Sequence, residues 1–247
     1  MSQTATPIQL KPETLQTFSA YIGDAETAMN SALNGHLAFL WCDANEQRSQ
    51  QVRDGKIIAE FWMGKGPVKV PDGLIHDWIG AAFIAGTSIK HVLARVQDYD
   101  NHKNIYKPEV IASKLISHSG NDFQIYLRLL KKKVMTVVLD TDHDVHYRDL
   151  DQKRWTCDSR TTRIAEVDDA GTPKEKVHAP DTGFGFLWRL HSYWRLQERD
   201  GGVYIECRAI SLTRDVPFGL GWIIEPIIQK LPRESLINTL EATRRGL

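Results

Sequence analysis

The last part of the chain, Pro217 to Leu247, has the pattern of one long amphipathic helix, and it follows directly on a run of β-strand patterns. A helix in this position can close a curved sheet over an apolar space, which limits the folds open to the chain. Pro226 and Pro232 each remove a backbone N–H, so we expect a kink or a short break there. The apolar residues that recur at helical spacing are Leu220, Ile223, Ile224, Ile227, Ile228, Leu231, Leu236, Ile237 and Leu240.

The rest of the chain predicts mostly strands joined by tight turns, which indicates an antiparallel sheet and an α+β fold. Before residue 109 we expect an amphipathic helix (Lys11 to Leu33), a hairpin (His36 to Cys42 with Lys56 to Trp62), a long strand (Gly73 to Ala85), a helix capped by Thr87 or Ser88, and a helical turn within Asp98 to Lys107. Six strands follow: Val110 to Ser117, Phe123 to Leu130, Val134 to Tyr147, Trp155 to Val167, Phe184 to Gln197 and Val203 to Thr213.

Composition excludes several classes of protein. Thirty-one basic residues balance thirty-one acidic ones in 247, so no overall field attracts nucleic acid. No run of eighteen apolar residues occurs, and the first thirty residues lack the apolar core of a signal peptide. We therefore expect a soluble chain, cytoplasmic as given, or periplasmic or secreted if a leader peptide has been removed. The three cysteines, Cys42, Cys157 and Cys207, favour buried free thiols.

Two local stretches carry a resemblance to a known family. The first consists of Val96 to His102, followed by Tyr106 to Val110 and Ser113, and resembles the segment in which a short helix ends and the sheet begins at a proline. The second is Pro217-Phe218-Gly219, which leads into a long helix ending at Thr243-Arg244-Arg245. With the element order, these stretches resemble the START-like lipid-transfer domains of the SRPBCC (helix-grip) superfamily.

The resemblance implies a helix-grip fold, in which a curved antiparallel sheet of about nine strands wraps around a long C-terminal helix. We expect a single START-like domain over residues 1–247, with an N-terminal helical extension (1–35), a curved sheet with short helices at 87–107 (36–216) and a gripping helix (217–247). Because the superfamily contains binders, transporters and enzymes, the fold alone assigns no chemistry.

Strand alternation divides the side chains into two faces. The face that we expect to line an apolar cavity gives our candidate ligand-binding residues: Trp78, Leu127, Val137, Leu139, His143, Trp155, Phe186, Trp188, Trp194, Ile205, Ile223 and Ile227. The other face carries Tyr126, Arg128, Arg160, Arg189, Tyr193, Arg195, Glu206 and Arg208, which we expect to form ion pairs and cation–π contacts on the solvent side of the sheet. If the alternation is inverted on one strand, an arginine enters the cavity and anchors a carboxylate or phosphate.

We predict that the chain binds, and as a further role transports, a hydrophobic small molecule such as a lipid, sterol or isoprenoid. We expect no cofactor, metal or protein partner, and transient contact with a membrane stays open. The alternative is a cyclase or dehydratase acting on a hydrophobic or polyketide-like substrate in the same cavity, as the superfamily implies. His143, His76 and Asp77 are then the first acid–base residues to test. A third alternative, a protein-interaction module presenting the N-terminal helix, has no positive signal.

Motifs add little to this choice. The chain has no nucleophile elbow, HExxH, P-loop or dinucleotide fingerprint. Asp140 to His146 superficially resembles a metal site, but alternation puts His143 on the face opposite Asp140, Asp142, Asp144 and His146, so we expect a solvated rim. The terminal helix and the segment Asp98 to Pro108 are the elements that we expect to move when ligand enters.

Overall fold

The computed structural model describes residues 8–31, 33, 38–62, 64, 66–132, 136–215 and 221–247, and for 221–229 it describes the backbone alone. Its strands are β1 (Ile8–Gln9), β2 (Ile58–Phe61), β3 (Val68–Val70), β4 (Gly73–Ala85), β5 (Val110–Ser119), β6 (Asp122–Lys132), β7 (Thr136–Asp151), β8 (Arg154–Asp168), β9 (Lys176–Val177), β10 (Thr182–Gly183), β11 (Arg189–Arg199) and β12 (Gly202–Arg214). Its α-helices are α1 (Pro12–Ser31), α2 (Glu46–Arg53), α3 (Ile89–Val96), α4 (His102–Ile105) and α5 (Gly221–Arg244), and short 3₁₀ helices span Trp41–Ala44 and Tyr99–Asn101.

Ten strands form one antiparallel sheet. Its main path runs in the order β2, β4, β12, β11, β8, β7, β6, β5, with β3 added to β4 and β9 to β8. β1 and β10 pair separately. The α+β class, the long strand β4 and the six later strands are confirmed, with one strand more than the predicted nine.

The sheet is curled around α5, because strands far apart in the sheet contact the same short stretch of that helix. The Nε of Arg233 donates to the carbonyl of Ala59 in β2 at 3.2 Å. Two residues further along, the hydroxyl of Ser235 accepts from the Nζ of Lys131 in β6 at 2.6 Å. β2 and β6 are six strand spacings apart in the sheet, about 29 Å if the sheet were flat, whereas a helix with its side chains is about 10–12 Å wide. The face towards α5 is therefore concave, and the helix-grip prediction is confirmed.

The convex face is covered by the N-terminal part of the chain. Phe18 and Ile22 of α1 pack against Ile210 and Leu212 of β12. The 3₁₀ helix Trp41–Ala44 lies beside them, and its backbone donates to a β12 side chain described below. The segment predicted as an extension is therefore a second layer on the sheet.

This layer corrects the expectation that the arginine, tyrosine and glutamate face is in contact with solvent. Glu206 and Arg208 are only 2% and 4% exposed. Arg208 forms an ion pair with Asp77 at 2.6 Å, and the hydroxyl of Tyr21 in α1 donates to the same carboxylate at 2.8 Å. Alternation identified the face correctly, but it does not report whether another element covers that face.

The predicted hairpin between His36 and Trp62 is wrong in the described residues. Only its second strand forms, as β2, while Trp41 and Cys42 lie in a 3₁₀ helix and α2 follows. The α2 segment is polar apart from the buried Val52. Its N-terminus is stabilised because the Asn45 side chain accepts from the N–H of Arg48 at 2.9 Å. His36 and Gly35 lie outside the described residues.

One further boundary and one capping group differ from the sequence prediction. Residues 184–188 precede β11 instead of belonging to it. They are held by Glu166, whose carboxylate accepts from the N–H groups of Phe184, Gly185 and Phe186 at 2.7, 2.8 and 3.0 Å. The helix α3 begins after Ser88 as predicted, but its first N–H is bound by Glu198 at 2.7 Å and the Ser88 side chain makes no capping bond.

Candidate ligand-binding site on the concave face

The concave face is an apolar surface on which aromatic residues predominate. Trp78, Trp194 and Ile205 belong to one cluster with Leu236 and Leu240 of α5. The indole of Trp78 lies against the ring of Phe61, with 3.8 Å between centroids. Trp155 contacts both this cluster and a second one, formed around Phe123, Ile125 and Tyr147. These contacts place four of the predicted residues together beneath the helix.

The second cluster extends the same face across β6 and β7. Leu127 packs against it. His143 and Thr141 share a side of β7, since their side chains are hydrogen-bonded at 2.9 Å. By alternation Leu139 and Val137 lie on that side too; Leu139 is 4% exposed and Val137 is half-buried.

On the central strands several concave residues are less buried than convex residues of the same strands. On β11 and β12 the convex residues Tyr193, Arg208 and Ile210 are 6%, 4% and 0% exposed. Trp194 and Ala209, on the concave side of the same strands, are only partly buried. The same holds for Trp155, Ser159 and Ser192. Some space in front of these side chains is therefore left uncovered.

The floor of this space consists of small side chains. In the register of the sheet Trp78 lies opposite Ala209, Ala209 opposite Ser192, and Ser192 opposite Ser159. The hydroxyl of Ser159 lies 3.4 Å from the Nδ1 of His143. We call the row Trp78, Ala209, Ser192, Ser159 and His143 the trough. It crosses four strand spacings, about 19 Å.

His143 lies at one end of the trough, and both of its ring nitrogens have hydroxyl neighbours. Nε2 is 2.9 Å from Thr141 Oγ1 and Nδ1 is 3.4 Å from Ser159 Oγ. Burial, with smaller effects of His102 and His191, lowers the pKa of His143 to about 4. The ring is therefore neutral at pH 7 and is a weak base.

His76 and Asp77, the other acid–base candidates, lie on opposite faces of β4. Asp77 points to the convex side, where Arg208 and Tyr21 bind its carboxylate. His76 shares the concave face with Trp78 and is 0% exposed. A catalytic group formed by His143, His76 and Asp77 is therefore wrong, because Asp77 cannot reach the trough.

Four predicted residues are not placed on the concave face. Trp188 precedes β11 and packs in the convex cluster with Phe18, because it lies outside the strand in which the alternation holds. Phe186, in the same stretch, is 39% exposed. The side chains of Ile223 and Ile227 lie outside the described residues.

The acidic stretch of β7 is a row of separate pairs. Asp140 binds Arg128 and Tyr126, with shortest distances of 2.7 and 2.6 Å, and Asp142 lies 3.3 Å from Arg163. His146 lies 2.6 Å from Asp122. Among the described residues no group of three or more potential ligands could hold a metal ion.

Several residues that close the site were missed by the sequence analysis. Tyr99 and Tyr147 share a hydrogen bond of 2.9 Å behind α3, and burial raises the pKa of both phenols. Tyr106 is hydrogen-bonded to Thr243 of α5 at 3.2 Å. Tyr99 and Tyr106 lie in a short polar segment, which gave no periodic signal that would have identified them.

Two clefts lie outside the concave face. One, of about 390 Å³, lies between α3 and the last residues and is lined by Thr87, His91, Arg95 and Leu247 among others. The other, of about 540 Å³, lies over the polar side of β6 to β8, at Gln124, Asp144, His146 and Arg160. Neither contains a predicted ligand-binding residue.

The strand order and the position of α5 define a helix-grip fold, as predicted. Solved structures to which the chain is similar include a STAR-related lipid transfer protein fragment from Xanthomonas axonopodis (17% identity, 73% of this chain and 97% of that chain, TM-score 0.46). Others are human STARD10 (9% identity, 82% and 80%, TM-score 0.45) and the Zhui aromatase/cyclase from a Streptomyces species (13% identity, 69% and 92%, TM-score 0.41).

These likenesses are distant, and they assign neither an activity nor a ligand. No family model matches the chain, and the search of curated proteins found no match. Within the described residues, no helix combines the length and apolar character needed to cross a bilayer.

Proposed function

We propose that this chain binds a hydrophobic small molecule in the trough beneath α5 and carries or sequesters it without covalent chemistry. The observation that supports this most directly is the partly exposed concave face, with Trp155, Trp194 and Ala209, inside a sheet that closes on a helix. Removing apolar surface from water is worth about 25 cal/mol per Å². A ligand that fills the space gains this free energy and completes the core.

The shape of the trough favours an extended or flat ligand. Its length of about 19 Å suits a lipid-like chain or a fused-ring hydrocarbon skeleton. Its small floor residues, Ala209, Ser192 and Ser159, leave room beside the larger Trp194 and Trp155. Such pockets are mainly apolar with a few polar groups that fix orientation.

The entry route that we propose runs between α5 and the segment before β5. Tyr106 binds Thr243 at 3.2 Å, and the carboxylate of Glu109 accepts from Asn238 at 2.8 Å. Glu109 also pairs with Lys131 of β6. Breaking these contacts would separate this edge of the sheet from α5 and let a ligand enter. We propose that they hold the entry route closed.

Native mass spectrometry of the freshly purified protein, followed by organic extraction, tests the binding function. We expect a co-purified hydrophobic molecule in near-equimolar amount, released unmodified. An empty protein that also fails to bind a neutral apolar fluorophore such as N-phenylnaphthylamine would contradict the proposal.

Filling the trough with a larger side chain tests whether the ligand binds there. Ser192→Phe places a large side chain on the floor, so we expect it to abolish fluorophore binding while the protein stays folded by circular dichroism. Ser117→Phe, the same change at an exposed position on β5, is the control and should bind normally. Equal binding by both variants would place the ligand elsewhere.

The cyclase or dehydratase alternative has one observation in its favour, a neutral imidazole with an unpaired nitrogen at His76. Burial lowers the pKa of His76 to about 4, which makes it a weak base. If the chain is an enzyme, extraction after incubation with a polyketide-like substrate yields a product of altered mass, and His76→Leu abolishes that conversion.

A further inference from the structure

Among the residues that the structure describes, two buried polar atoms on the concave face have no hydrogen-bond partner. They are Nδ1 of His76 and Nε1 of Trp78. His76 is 0% exposed and Trp78 is 5% exposed, so water outside the protein does not satisfy either atom. An unpaired buried polar group costs roughly 1–3 kcal/mol, and native proteins rarely keep one without a purpose.

The two side chains are neighbours on the same side of β4. They are two residues apart, which separates their Cα atoms by about 7 Å. Across the sheet they face the small residues Ser211 and Ala209 of β12. Both opposing side chains are small, and they lie at the end of the trough that is furthest from His143.

The hydrogen bonds of His76 define which of its nitrogens carries the proton. Its Nε2 lies 3.1 Å from Thr213 Oγ1. The Thr213 hydroxyl donates its one proton to the carbonyl of Arg214 at 3.3 Å. Thr213 Oγ1 therefore accepts from Nε2–H of His76, and Nδ1 is left as a bare acceptor. Because burial lowers the pKa of His76 to about 4, the ring is neutral at pH 7.

Trp78 supplies a hydrogen-bond donor, whereas His76 supplies an acceptor. An indole Nε1–H can only donate. The ring is held in place by Phe61, whose centroid is 3.8 Å away, so the N–H has a fixed direction. The pair therefore offers one acceptor and one donor on the same side of one strand.

We infer that this end of the trough is the subsite for a hydroxyl group on the hydrophobic ligand, whose O–H donates to His76 Nδ1 and whose oxygen accepts from Trp78 Nε1–H. A carboxylate has no proton for His76, and an ether or a ketone satisfies Trp78 alone. The ligand class is therefore a long-chain or fused-ring alcohol. This inference rests on the proposed function, because it takes the trough to be the binding site.

Displacement of N-phenylnaphthylamine by three matched molecules tests the subsite. Dodecanol, dodecyl methyl ether and dodecane share one apolar chain and differ in what they offer to His76 and Trp78. Each well-placed hydrogen bond contributes about 1 kcal/mol, which is about fivefold in affinity. We therefore expect dodecanol to displace the fluorophore at about fivefold lower concentration than the ether, which lacks one bond, and about thirtyfold lower than dodecane, which lacks both.

Three variants identify the residues responsible. Trp78→Phe keeps an aromatic ring against Phe61 but removes the N–H, and His76→Leu removes the acceptor; either should abolish the preference for dodecanol. Trp194→Phe, the same exchange elsewhere on the concave face, should keep it. Having two variants guards against the case in which one of them fails to fold.

The outcomes distinguish failure of the hydroxyl subsite from failure of the trough as a binding site. Equal displacement by dodecanol and its methyl ether, or a preference that survives in both His76→Leu and Trp78→Phe, overturns the hydroxyl subsite while the trough remains a binding site. Failure of the wild-type protein to bind the fluorophore or dodecanol overturns the trough and the subsite together.

Discussion

Asp77 and Arg208 carry opposite charges in a place that water does not reach. Their side chains are 6% and 4% exposed, and two hydrogen bonds of 2.9 and 2.6 Å join them. Tyr21 of α1 donates to the same carboxylate, and the guanidinium lies 4.1 Å from the centroid of the Trp62 ring. The directional hydrogen bond from Tyr21 therefore holds α1 on the sheet in addition to the apolar contacts of that helix.

Removal of one charge should therefore be costly. Asp77→Asn leaves the Arg208 guanidinium buried without a counter-charge, and we expect a loss of about 3–5 kcal/mol in the free energy of unfolding, measured with urea. The control is Lys11→Met, at an exposed pair with Asp72 where the loss should stay below about 1 kcal/mol. Equal losses would show that burial of the Asp77 pair has no energetic consequence.

At the scale of elements, α5 approaches β4 most closely at a glycine. A Cβ on Gly80 would lie 2.9 Å from the carbonyl oxygen of Ile58 and 2.9 Å from Leu240 Cδ1. The missing side chain lets Leu236 and Leu240 rest on the backbone of the sheet. The second half of α5 is thereby seated on β4, and the open space lies over the neighbouring strands.

Gly80→Ala tests this seat. Because the carbonyl oxygen belongs to a paired strand and cannot move freely, we expect a loss of about 1–3 kcal/mol in the free energy of unfolding in urea. Gly23→Ala, in α1 with open space around its Cβ position, should instead gain about 0.5–1 kcal/mol. A neutral Gly80→Ala would mean that α5 is not seated there.

A second contact between elements depends on Glu206. Its carboxylate accepts from the N–H groups of Trp41 and Cys42 at 2.8 and 2.7 Å, and so ties the 3₁₀ helix to β12. Complete burial outweighs these bonds and raises the pKa of Glu206 from 4.5 to about 7. The folded protein therefore holds this proton more tightly than the unfolded chain does.

The sign of the pH effect follows from that difference. Between pH 4.5 and about 7 the folded state keeps the proton and the unfolded state loses it, so the contribution of Glu206 to stability falls as pH rises. In Glu206→Gln we expect this decline to be absent when the free energy of unfolding is measured at several pH values in that window. An unchanged slope would contradict the assignment.

At the scale of the whole molecule, closing the sheet around α5 buries histidines that stay neutral. Burial is the main cause that lowers the pKa values of His76, His102 and His143 from 6.5 to about 4. Between these values the unfolded chain is protonated and the folded protein is not. With His191, whose pKa burial also lowers to about 4, these histidines outnumber the carboxyl groups whose pKa values burial raises, namely Glu206, Glu166 and Asp158. Stability should therefore fall overall on acidification.

We expect the melting temperature to decrease as pH is lowered from 6.5 towards 4, because unfolding takes up protons there. His102→Gln, which can still donate to the Val96 carbonyl that accepts from the imidazole at 3.0 Å, should reduce that decrease. A melting temperature that is constant or rises on acidification would show that these histidines are protonated in the fold.

Periodicity within the chain determined much of this protein. Alternation identified Trp78, Trp194 and Ile205 as one face, and the spacing of Leu236 and Leu240 identified the stripe of α5 that covers it. These patterns succeed because each strand or helix imposes its own repeat on its side chains. The element order then indicated the helix-grip fold.

Only the tertiary structure decided which surfaces meet. Alternation could not reveal that α1 covers Arg208, that the 3₁₀ helix Trp41–Ala44 covers Glu206, or that Trp188 leaves the strand pattern. The unpaired nitrogens of His76 and Trp78 are likewise a property of packing. Local sequence fixes the direction of a side chain relative to its own backbone, whereas its partners come from strands and helices distant in the chain.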